Sequence, residues 1–193
     1  MSNPFQNLIA NSGLSDTVLA EVLKYFKKVT FKKNSIILTI GETSRHWYFI
    51  DSGLVHSFIE SDKGPETTWL VAEGEFIASA ESFFLQKPSL ETIETLEDCT
   101  LWRISYDDLR ALQAQFPEIQ LLSIKLTEMQ VVEYGQRVRL LKTHPAKKRY
   151  ELFYKNFPHL RGRAKTDYLA SYLGLSRTTF LHEQSASAKK PKK

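Results

Sequence analysis

The residues with the clearest chemistry lie in a basic segment near the C-terminal end of the chain. Its only acidic residue is Glu151, and its basic residues are Arg137, Arg139, Lys142, Lys147, Lys148, Arg149, Lys155, Arg161, Arg163 and Lys165. Lysine and arginine at this density are typical of a surface that binds phosphate groups, although any single pair of them is also typical of a solvated helix face. Because the net charge of the whole chain is only +4, the uneven distribution rather than the total favours a phosphate-facing surface.

Directly after this segment, residues 166–181 have the spacing of two short helices joined by a tight turn. Ala170 suits the close approach of two crossing helices, Gly174 suits a left-handed turn, and Ser176 is placed to cap the second helix. The small core between the helices is predicted to consist of Leu169, Leu173, Leu175 and Phe180. Helical hairpins that do not bind DNA also use glycine at the turn, but the neighbouring basic segment favours a DNA-binding helix-turn-helix.

The start of the second helix supplies the candidate contacts to double-stranded DNA. Arg177 is the best candidate to read a guanine edge, and Thr178 and Thr179 are expected to contact bases or phosphates. The complete set of predicted DNA-binding residues is Lys165, Thr166, Ser176, Arg177, Thr178, Thr179 and His182.

The elements that precede this motif are predicted from periodicity. Residues 15–26 have helical spacing, and residues 29–104 are short β-branched and aromatic runs separated by turn signals, as in an antiparallel roll or barrel. An interruption over 76–87 predicts one short helix between strands, and Ser105 begins another. A long helix is predicted over 117–141, starting at a proline. The chain is therefore predicted to be an α+β protein.

The long helix has two apolar faces, and the sequence leaves open which of them meets a partner. A stripe at spacings of three and four predicts a two-helix seam in a homodimer, and it consists of Ile119, Leu122, Leu126 and Met129. The other face would then hold the helix against its own domain, through Leu121, Ile124, Val131 and Val132. The alternative is a helix buried entirely against its own domain.

Composition argues against several classes of protein. The 193 residues are 42% hydrophobic and 25% charged, as in an ordinary globular protein. The single cysteine, Cys99, rules out a disulfide within the chain and an iron–sulfur cluster. The sequence has neither a signal peptide nor a long apolar run, so a cytoplasmic protein with no membrane contact is expected. No nucleophile elbow, metal-binding histidine pair or phosphate loop is found, so neither an enzyme nor a metal site is expected.

The order of β-rich region, long helix and helix-turn-helix resembles the bacterial Crp/Fnr family of transcription regulators. Residues 168–175 (YLASYLGL) are similar to the helix-turn-helix of a large branch of that family. Residues 73–78 (EGEFIA) resemble the start of the family's phosphate-binding cassette, and residues 82–84 (SFF) match the short helix inside it. The resemblance extends over residues 14–181.

This resemblance implies a particular domain organisation. An effector-sensing β-roll (jelly roll) of the cyclic-nucleotide-binding type is expected over residues 1–115. A dimerisation helix is expected over 116–142, and a DNA-binding helix-turn-helix domain over 143–184. The small and basic tail, 185–193, is predicted to be disordered.

The cassette departs from that of the family's cyclic-nucleotide binders. Those proteins hold the cyclic phosphate with an Arg-Ser or Arg-Thr pair, whereas Ser89 and Leu90 occupy these positions here. Binding of cyclic AMP is therefore not expected. A different small effector is one interpretation, and a core without any ligand is the other. The expected pocket residues are Gly74, Glu75, Phe76, Ile77, Glu81, Phe84, Ser89, Leu90 and Thr92, with Met129 or Glu133 reaching in from the long helix.

The leading interpretation is a DNA-binding homodimer in which an effector in the β-roll changes the spacing of the two recognition helices. RNA polymerase is a further partner that the resemblance leaves open. A second interpretation is a ligand-binding module whose helical C-terminus contacts a protein rather than DNA. It stays open because residues 181–184 (LHEQ) stand where relatives usually carry arginine and serine.

Overall fold

The computed structural model describes residues 4–62 and 64–188. Within them, two four-stranded antiparallel sheets form the N-terminal β-roll, and the strands are β1 (Lys27–Phe31), β2 (Ile36–Leu38), β3 (His46–Ser52), β4 (Val55–Ser61), β5 (Gly64–Val71), β6 (Phe76–Ile77), β7 (Thr92–Thr95) and β8 (Cys99–Ser105). The strand order is β1-β8-β3-β6 in one sheet and β2-β7-β4-β5 in the other. Except for β4 and β5, neighbouring strands are not consecutive in sequence, so the chain passes repeatedly between the sheets, as in a jelly roll. The predicted β-roll is confirmed.

The core of the roll lies between the two sheets. Its buried residues are Leu38, Tyr48, Ile50, Val55, Val71, Ile77, Ile93, Cys99 and Leu101. Gly53 turns the chain between β3 and β4 with a φ of 104°, and a Cβ at this position would lie 2.8 Å from the carbonyl oxygen of Asp98. Only glycine fits this turn, because both the backbone conformation and the close approach exclude a side chain.

Four short helices flank the roll: α1 (Pro4–Ala10), α2 (Asp16–Tyr25), α3 (Ala80–Leu85) and α4 (Tyr106–Gln115). The last three confirm predicted helices, and Ser105 caps α4 by accepting a hydrogen bond from the backbone N–H of Asp108 at 3.1 Å. Sequence analysis missed α1, whose one buried side chain, Phe5, stacks on Trp102 with 4.3 Å between ring centroids. A single anchoring ring leaves no periodic pattern to detect.

The long helix, α5 (Pro117–Lys142), has 26 residues and is therefore about 39 Å long. Its inner face packs on the roll, where Ile119 is 4% exposed and Leu126 lies against the same apolar cluster. The predicted dimer seam is therefore wrong for Ile119, which its own chain buries. The apolar residues that were expected to pack on the chain's own domain are instead exposed. Together with Val138 they form what we call the outer face of α5. Its residues are Leu121, Ile124, Val131, Val132 and Val138.

The sequence could not decide between the two faces because both are apolar. Their orientation is set by the connection to α4, which consists of Phe116 alone. This one-residue connection fixes the rotation of α5 about its axis and turns Ile119 toward the roll. Of the other predicted seam residues, Leu122 is half-buried and Met129 is 53% exposed.

The C-terminal region is helical: α6 (Ala146–Asn156), a 3-10 turn (Pro158–Leu160), α7 (Thr166–Tyr172) and α8 (Arg177–Ala188). Gly174 joins α7 to α8 with a φ of 57°, the left-handed conformation expected there. The predicted core is confirmed, since Leu169, Leu173 and Phe180 are buried and Leu175 is partly buried. The sequence pattern thus predicted the packing of this pair of helices.

The helix α8 continues further than expected. It reaches Ala188, so the predicted disorder is wrong for residues 185–188. These four residues are serine and alanine. Alanine favours a helix and serine tolerates one. Disorder was predicted because the side chains are small or polar and offer no apolar surface to bury. The rest of the predicted tail, residues 189–193, lies outside the described residues.

Candidate effector cavity and nucleic-acid interface

The C-terminal helices dock on the roll through α7 and β5. The backbone N–H of Thr67 in β5 donates a hydrogen bond to Ser171 Oγ in α7 at 2.9 Å. Beside this bond, the ring of Tyr168 lies 4.5 Å from the ring of His56, centroid to centroid. The two parts of the molecule therefore share an interface with direct contacts between strand and helix.

Arg163, in the loop before α7, forms ion pairs across this interface. Its guanidinium donates to both carboxylate oxygens of Glu73 at 2.8 Å and to those of Glu97 at 2.7 and 3.0 Å. Burial by itself would raise the pKa of Glu73, but the hydrogen bonds from Arg163 and from backbone amides lower that pKa to about 2. The Glu73 carboxylate is thus ionised, and it shares one cation from the C-terminal region with Glu97.

The cassette that the sequence pointed to is not arranged to hold a phosphate. Ser89 is buried, and its Oγ lies 2.7 Å from the carbonyl oxygen of Glu91 and 2.9 Å from Ser79 Oγ, so its hydrogen-bonding capacity is used inside the roll. Leu90 is 68% exposed, and residues 73–95 contain no arginine. A buried phosphate needs charge-assisted donors, and the one basic residue of this range, Lys87, is exposed. The residues of the cassette do not fit the phosphate of a cyclic nucleotide.

The other predicted pocket residues are dispersed over the roll. Ile77 belongs to its core, and Thr92 Oγ1 accepts a hydrogen bond from the backbone N–H of Ile40 at 3.1 Å. Gly74 and Glu81 are exposed, and Phe84 packs on Trp47 at the edge of α3. The structure therefore does not bring these residues together.

Glu75 and Phe76 do line a cavity, but it lies between the roll and the C-terminal helices. We call it the interdomain cavity; its volume is about 230 Å³, and its walls come from β5, β6, α5, α6 and α7. Glu133, which was expected to reach in from the long helix, is part of the wall, whereas Met129 is not. Sequence analysis did not predict the other residues that line this cavity, above all Trp69, Arg137, Phe157 and Tyr172.

The charged groups of the interdomain cavity differ from those of the Arg163 cluster. The guanidinium of Arg137 stacks on Tyr172, 3.6 Å from the ring centroid, and its Nη1 is buried without a hydrogen-bond partner. In the part of the chain that the structure describes, no carboxylate lies within ion-pairing distance of it. Burial lowers the pKa of Arg137, because removal from water disfavours the charged form. Arg137 is therefore a half-buried cation with one fully buried nitrogen and no counter-ion among the described residues.

The two carboxyl groups of this cavity are also shifted by burial. Burial raises the pKa of Glu75 to about 7, against the hydrogen bond from the backbone N–H of Ala72 and with help from the charges of Glu133 and Glu73. Burial likewise raises the pKa of Glu133. Near neutral pH, Glu75 therefore exists in both protonation states.

One sequence signal could have found part of this wall. Ile119, Leu126, Glu133 and Leu140 follow one another at heptad spacing along the inner face of α5. A glutamate in an otherwise apolar heptad position is a reason to expect a polar site. Arg137 follows Glu133 by one helical turn, so the two side chains lie on the same side of α5. Sequence analysis assigned Arg137 to the phosphate-facing basic segment and therefore did not place it at a polar site.

The predicted DNA-contacting residues lie at the starts of α7 and α8. Ser176 caps α8 by accepting a hydrogen bond from the backbone N–H of Thr179 at 3.1 Å, as predicted. Arg177 is 67% exposed, and its Nε lies 3.2 Å from Asp167 in the first turn of α7. This ion pair brings the first turns of the two helices together, with Lys165 and Thr166 at the start of α7. Thr178 and His182 are exposed along α8.

Residues 4–62 and 64–188 offer neither a metal-binding cluster nor a membrane-spanning helix. No group of three or more His, Cys, Asp or Glu side chains is arranged there to hold a metal ion. None of the helices over the same residues combines the length and the apolar character needed to cross a membrane.

Comparison with family models gives one match, in the N-terminal part of the chain. Residues 28–116 match the cyclic nucleotide-binding domain family. A search of curated protein sequences gave no significant match. The match covers the β-roll and α4, and it stops before the long helix.

Solved structures match over most of the chain. The catabolite activator protein of Thermus thermophilus is 21% identical, with 92% of this chain and 85% of that one covered and a TM-score of 0.56. FixK2 of Bradyrhizobium japonicum is 15% identical, with 84% of each chain covered and a TM-score of 0.72. A Crp/Fnr-family regulator of Eubacterium rectale is 15% identical, with 91% and 84% covered and a TM-score of 0.69. At these identities the likeness shows a common fold, and the resemblance expected from the sequence is confirmed at that level.

Proposed function

We propose that this chain, which contains a cyclic nucleotide-binding domain within the fold of Crp/Fnr regulators, is a DNA-binding transcription regulator. The observation that carries the proposal is the unit of α7, tight turn and α8, which follows the basic segment 137–165 and exposes Arg177. Since the comparisons support a shared fold, the argument for DNA binding rests on this unit.

We assign α8 as the helix that enters the major groove. Arg177 is paired with Asp167, but the two side chains are 67% and 62% exposed, and surface pairs of this kind contribute about 0–1 kcal/mol. The pair is therefore readily exchanged for a contact with a guanine edge or a phosphate. Lys165 and Thr166, at the start of α7, would contact the DNA backbone and position the recognition helix.

The proposal includes a homodimer and a small effector. The outer face of α5 is an exposed apolar stripe on a helix about 39 Å long, and a second copy of the same helix would cover it. An effector would shift the population of two arrangements of the C-terminal helices. The interface that would rearrange combines an apolar cluster, in which Leu70 of the roll packs with the C-terminal helices, with the polar contacts of Thr67 and Arg163.

DNA binding is tested with the full chain and a pool of random-sequence duplexes at low and moderate salt, followed by sequencing of the recovered fragments. We expect binding that weakens steeply with salt and that enriches a two-fold symmetric motif. Arg177→Ala should reduce the preference for that motif by about 1–3 kcal/mol. Arg45→Ala, which removes the same charge from an exposed loop of the roll, is the matched control and should leave it unchanged.

The absence of salt-sensitive DNA binding would contradict the proposal. It would favour the second interpretation, in which the C-terminal helices contact a protein partner. Binding without any enriched motif would also count against a sequence-reading role for Arg177, because a basic surface alone gives only non-specific affinity.

Dimerisation is tested on the outer face of α5. Val131→Asp places two charges opposite each other in an apolar seam, and we expect monomers in sedimentation and at least about tenfold weaker DNA binding. Met129→Asp is the matched control, because Met129 is 53% exposed and lies roughly 200° around the helix from Val131. Dissociation by Met129→Asp and not by Val131→Asp would place the seam on the stripe that the sequence first suggested.

A further inference from the structure

We propose that the interdomain cavity binds a compact, flat monocarboxylate, with the carboxylate on Arg137 and the ring between the aromatic walls. This inference rests on the proposed regulator function only where it calls the ligand the effector of the regulator. The site itself is argued from the cavity.

The cavity is large enough for such a ligand. Its volume is about 230 Å³. A cavity of about 150 Å³ binds benzene in an engineered protein, so a benzene ring with a carboxylate and one or two further atoms fits the available space. A nucleotide is too large for it.

The walls favour a flat apolar body. Trp69, Phe76, Phe157 and Tyr172 contribute rings, and Leu152 lies among them. Neighbouring side chains hold two of these rings in place. Trp69 stacks on Tyr134 with 4.8 Å between ring centroids and 10° between ring planes. Tyr172 packs against the Arg137 guanidinium. Fixed rings offer a preformed slot, and ring–ring contacts are worth more than area burial alone.

The cation identifies the charged end of the ligand. Arg149 and Arg163, also in the C-terminal half, have their donors satisfied by carbonyl oxygens and by carboxylates, respectively. Arg137 retains a buried Nη1 without a partner. An uncompensated buried guanidinium is costly, and a carboxylate that accepts two parallel hydrogen bonds from its fork removes that cost.

The two acidic side chains limit the ligand's charge. Glu75 and Glu133 lie on the same wall as Arg137 and would repel a dianion such as a phosphate monoester. The lining also includes Arg139, but its side chain is exposed, so a single carboxylate matches the one arginine with a buried, unpartnered nitrogen. Burial raises the pKa of Glu75 to about 7, which reduces this repulsion for a monoanion near neutral pH.

The position of the cavity connects ligand binding to the DNA-binding helices. Its walls combine β5 and β6 of the roll with the long helix α5 and with α6 and α7. A ligand held by Arg137 of α5 and by Tyr172 of α7 would contact both sides of the docked interface. Occupancy would therefore favour one arrangement of the C-terminal helices over another.

The test is direct calorimetric titration of the full chain with benzoate and phenylacetate, in the absence of DNA. Benzamide and benzyl alcohol serve as neutral counterparts, and phenyl phosphate serves as the dianion. We expect at least one of the two carboxylates to bind, and to bind at least tenfold more tightly than its neutral counterpart and than phenyl phosphate. Arg137→Met should weaken carboxylate binding at least tenfold, whereas Lys125→Met, on the exposed side of the same helix, should not change it.

A second variant covers the case in which Arg137→Met does not fold. Leu152→Trp leaves Arg137 in place and fills the cavity, so it should also abolish binding. The proposal is overturned if the folded chain binds neither carboxylate, if the neutral compounds bind equally well, or if carboxylate binding is unchanged in the variants that fold. A chain that binds a carboxylate but no DNA would refute the regulator function alone, and a chain that binds DNA but no carboxylate would refute this site alone.

Discussion

Arg163 and Arg137 lie at the same interface between the β-roll and the C-terminal helices, and their surroundings differ. Arg163 is 23% exposed and donates to two carboxylates, both anchored on the roll. Arg137 is half-buried against Tyr172, has one buried nitrogen without a partner, and borders a cavity. The first arrangement is complete within the chain and explains how the two parts are held together. The second is incomplete, and an anion from outside the chain would complete it.

The comparison predicts the largest effect for Arg163→Met. This variant leaves Glu73 and Glu97 without their shared cation, and we expect the free energy of unfolding in urea at pH 7 to fall by about 2–3 kcal/mol. The expected loss is below the ~3–5 kcal/mol of a fully buried pair, because the two carboxylate side chains are 34% and 31% exposed. Lys155→Met, which removes a positive charge from an exposed position in α6, is the control with little expected effect.

A drop of less than about 0.5 kcal/mol in Arg163→Met would place this cluster among ordinary surface ion pairs. The docking of α7 on β5 would then depend on the Thr67–Ser171 hydrogen bond and on the ring contact between His56 and Tyr168.

For Glu75→Gln we expect a smaller change in the free energy of unfolding. The substitution should stabilise the fold, and the size of the effect should depend on pH. The pKa of Glu75 is about 7 in the folded chain against 4.5 ordinarily, so the folded state binds the proton more tightly. The stabilisation from this proton is complete below pH 4.5 and is lost as the pH rises through 7. The glutamine keeps an acceptor for the N–H of Ala72 and carries no charge. We expect the variant to match the wild type at pH 4.5 and to be more stable by about 1–3 kcal/mol at pH 8.

Glu73→Gln is the control with the reverse sign. Its carboxylate has a folded pKa of about 2, so its stabilisation is present above pH 4.5 and is lost as the pH falls toward 2. This variant should therefore be less stable than the wild type at pH 8. Equal pH profiles for the two variants would show that the Glu75 carboxyl is not held in a desolvated site.

The contrast between the two arginines also shows what the sequence could predict. The roll and the α7–α8 pair were predicted because their signals are local: alternating strands, glycine at a turn such as Gly174, and a serine cap at Ser176. The cassette's poor fit to a phosphate followed from single residue types, Ser89 and Leu90. The interdomain cavity was not predicted, because its wall joins residues as distant in sequence as Trp69 and Tyr172. Which arginine finds a carboxylate depends on that long-range packing.

The smallest effect is expected for Arg137→Met in the absence of any ligand. The substitution loses the contact of the guanidinium with Tyr172, worth about 0.5–2 kcal/mol, and at the same time removes a buried charge that lacks a counter-ion. The two changes oppose each other, so the free energy of unfolding in urea should change by less than about 1 kcal/mol. A loss as large as that expected for Arg163→Met would mean that Arg137 is a structural cation with a partner inside the chain. The two arginines would then be equivalent, and the reason to expect an anion in the interdomain cavity would be gone.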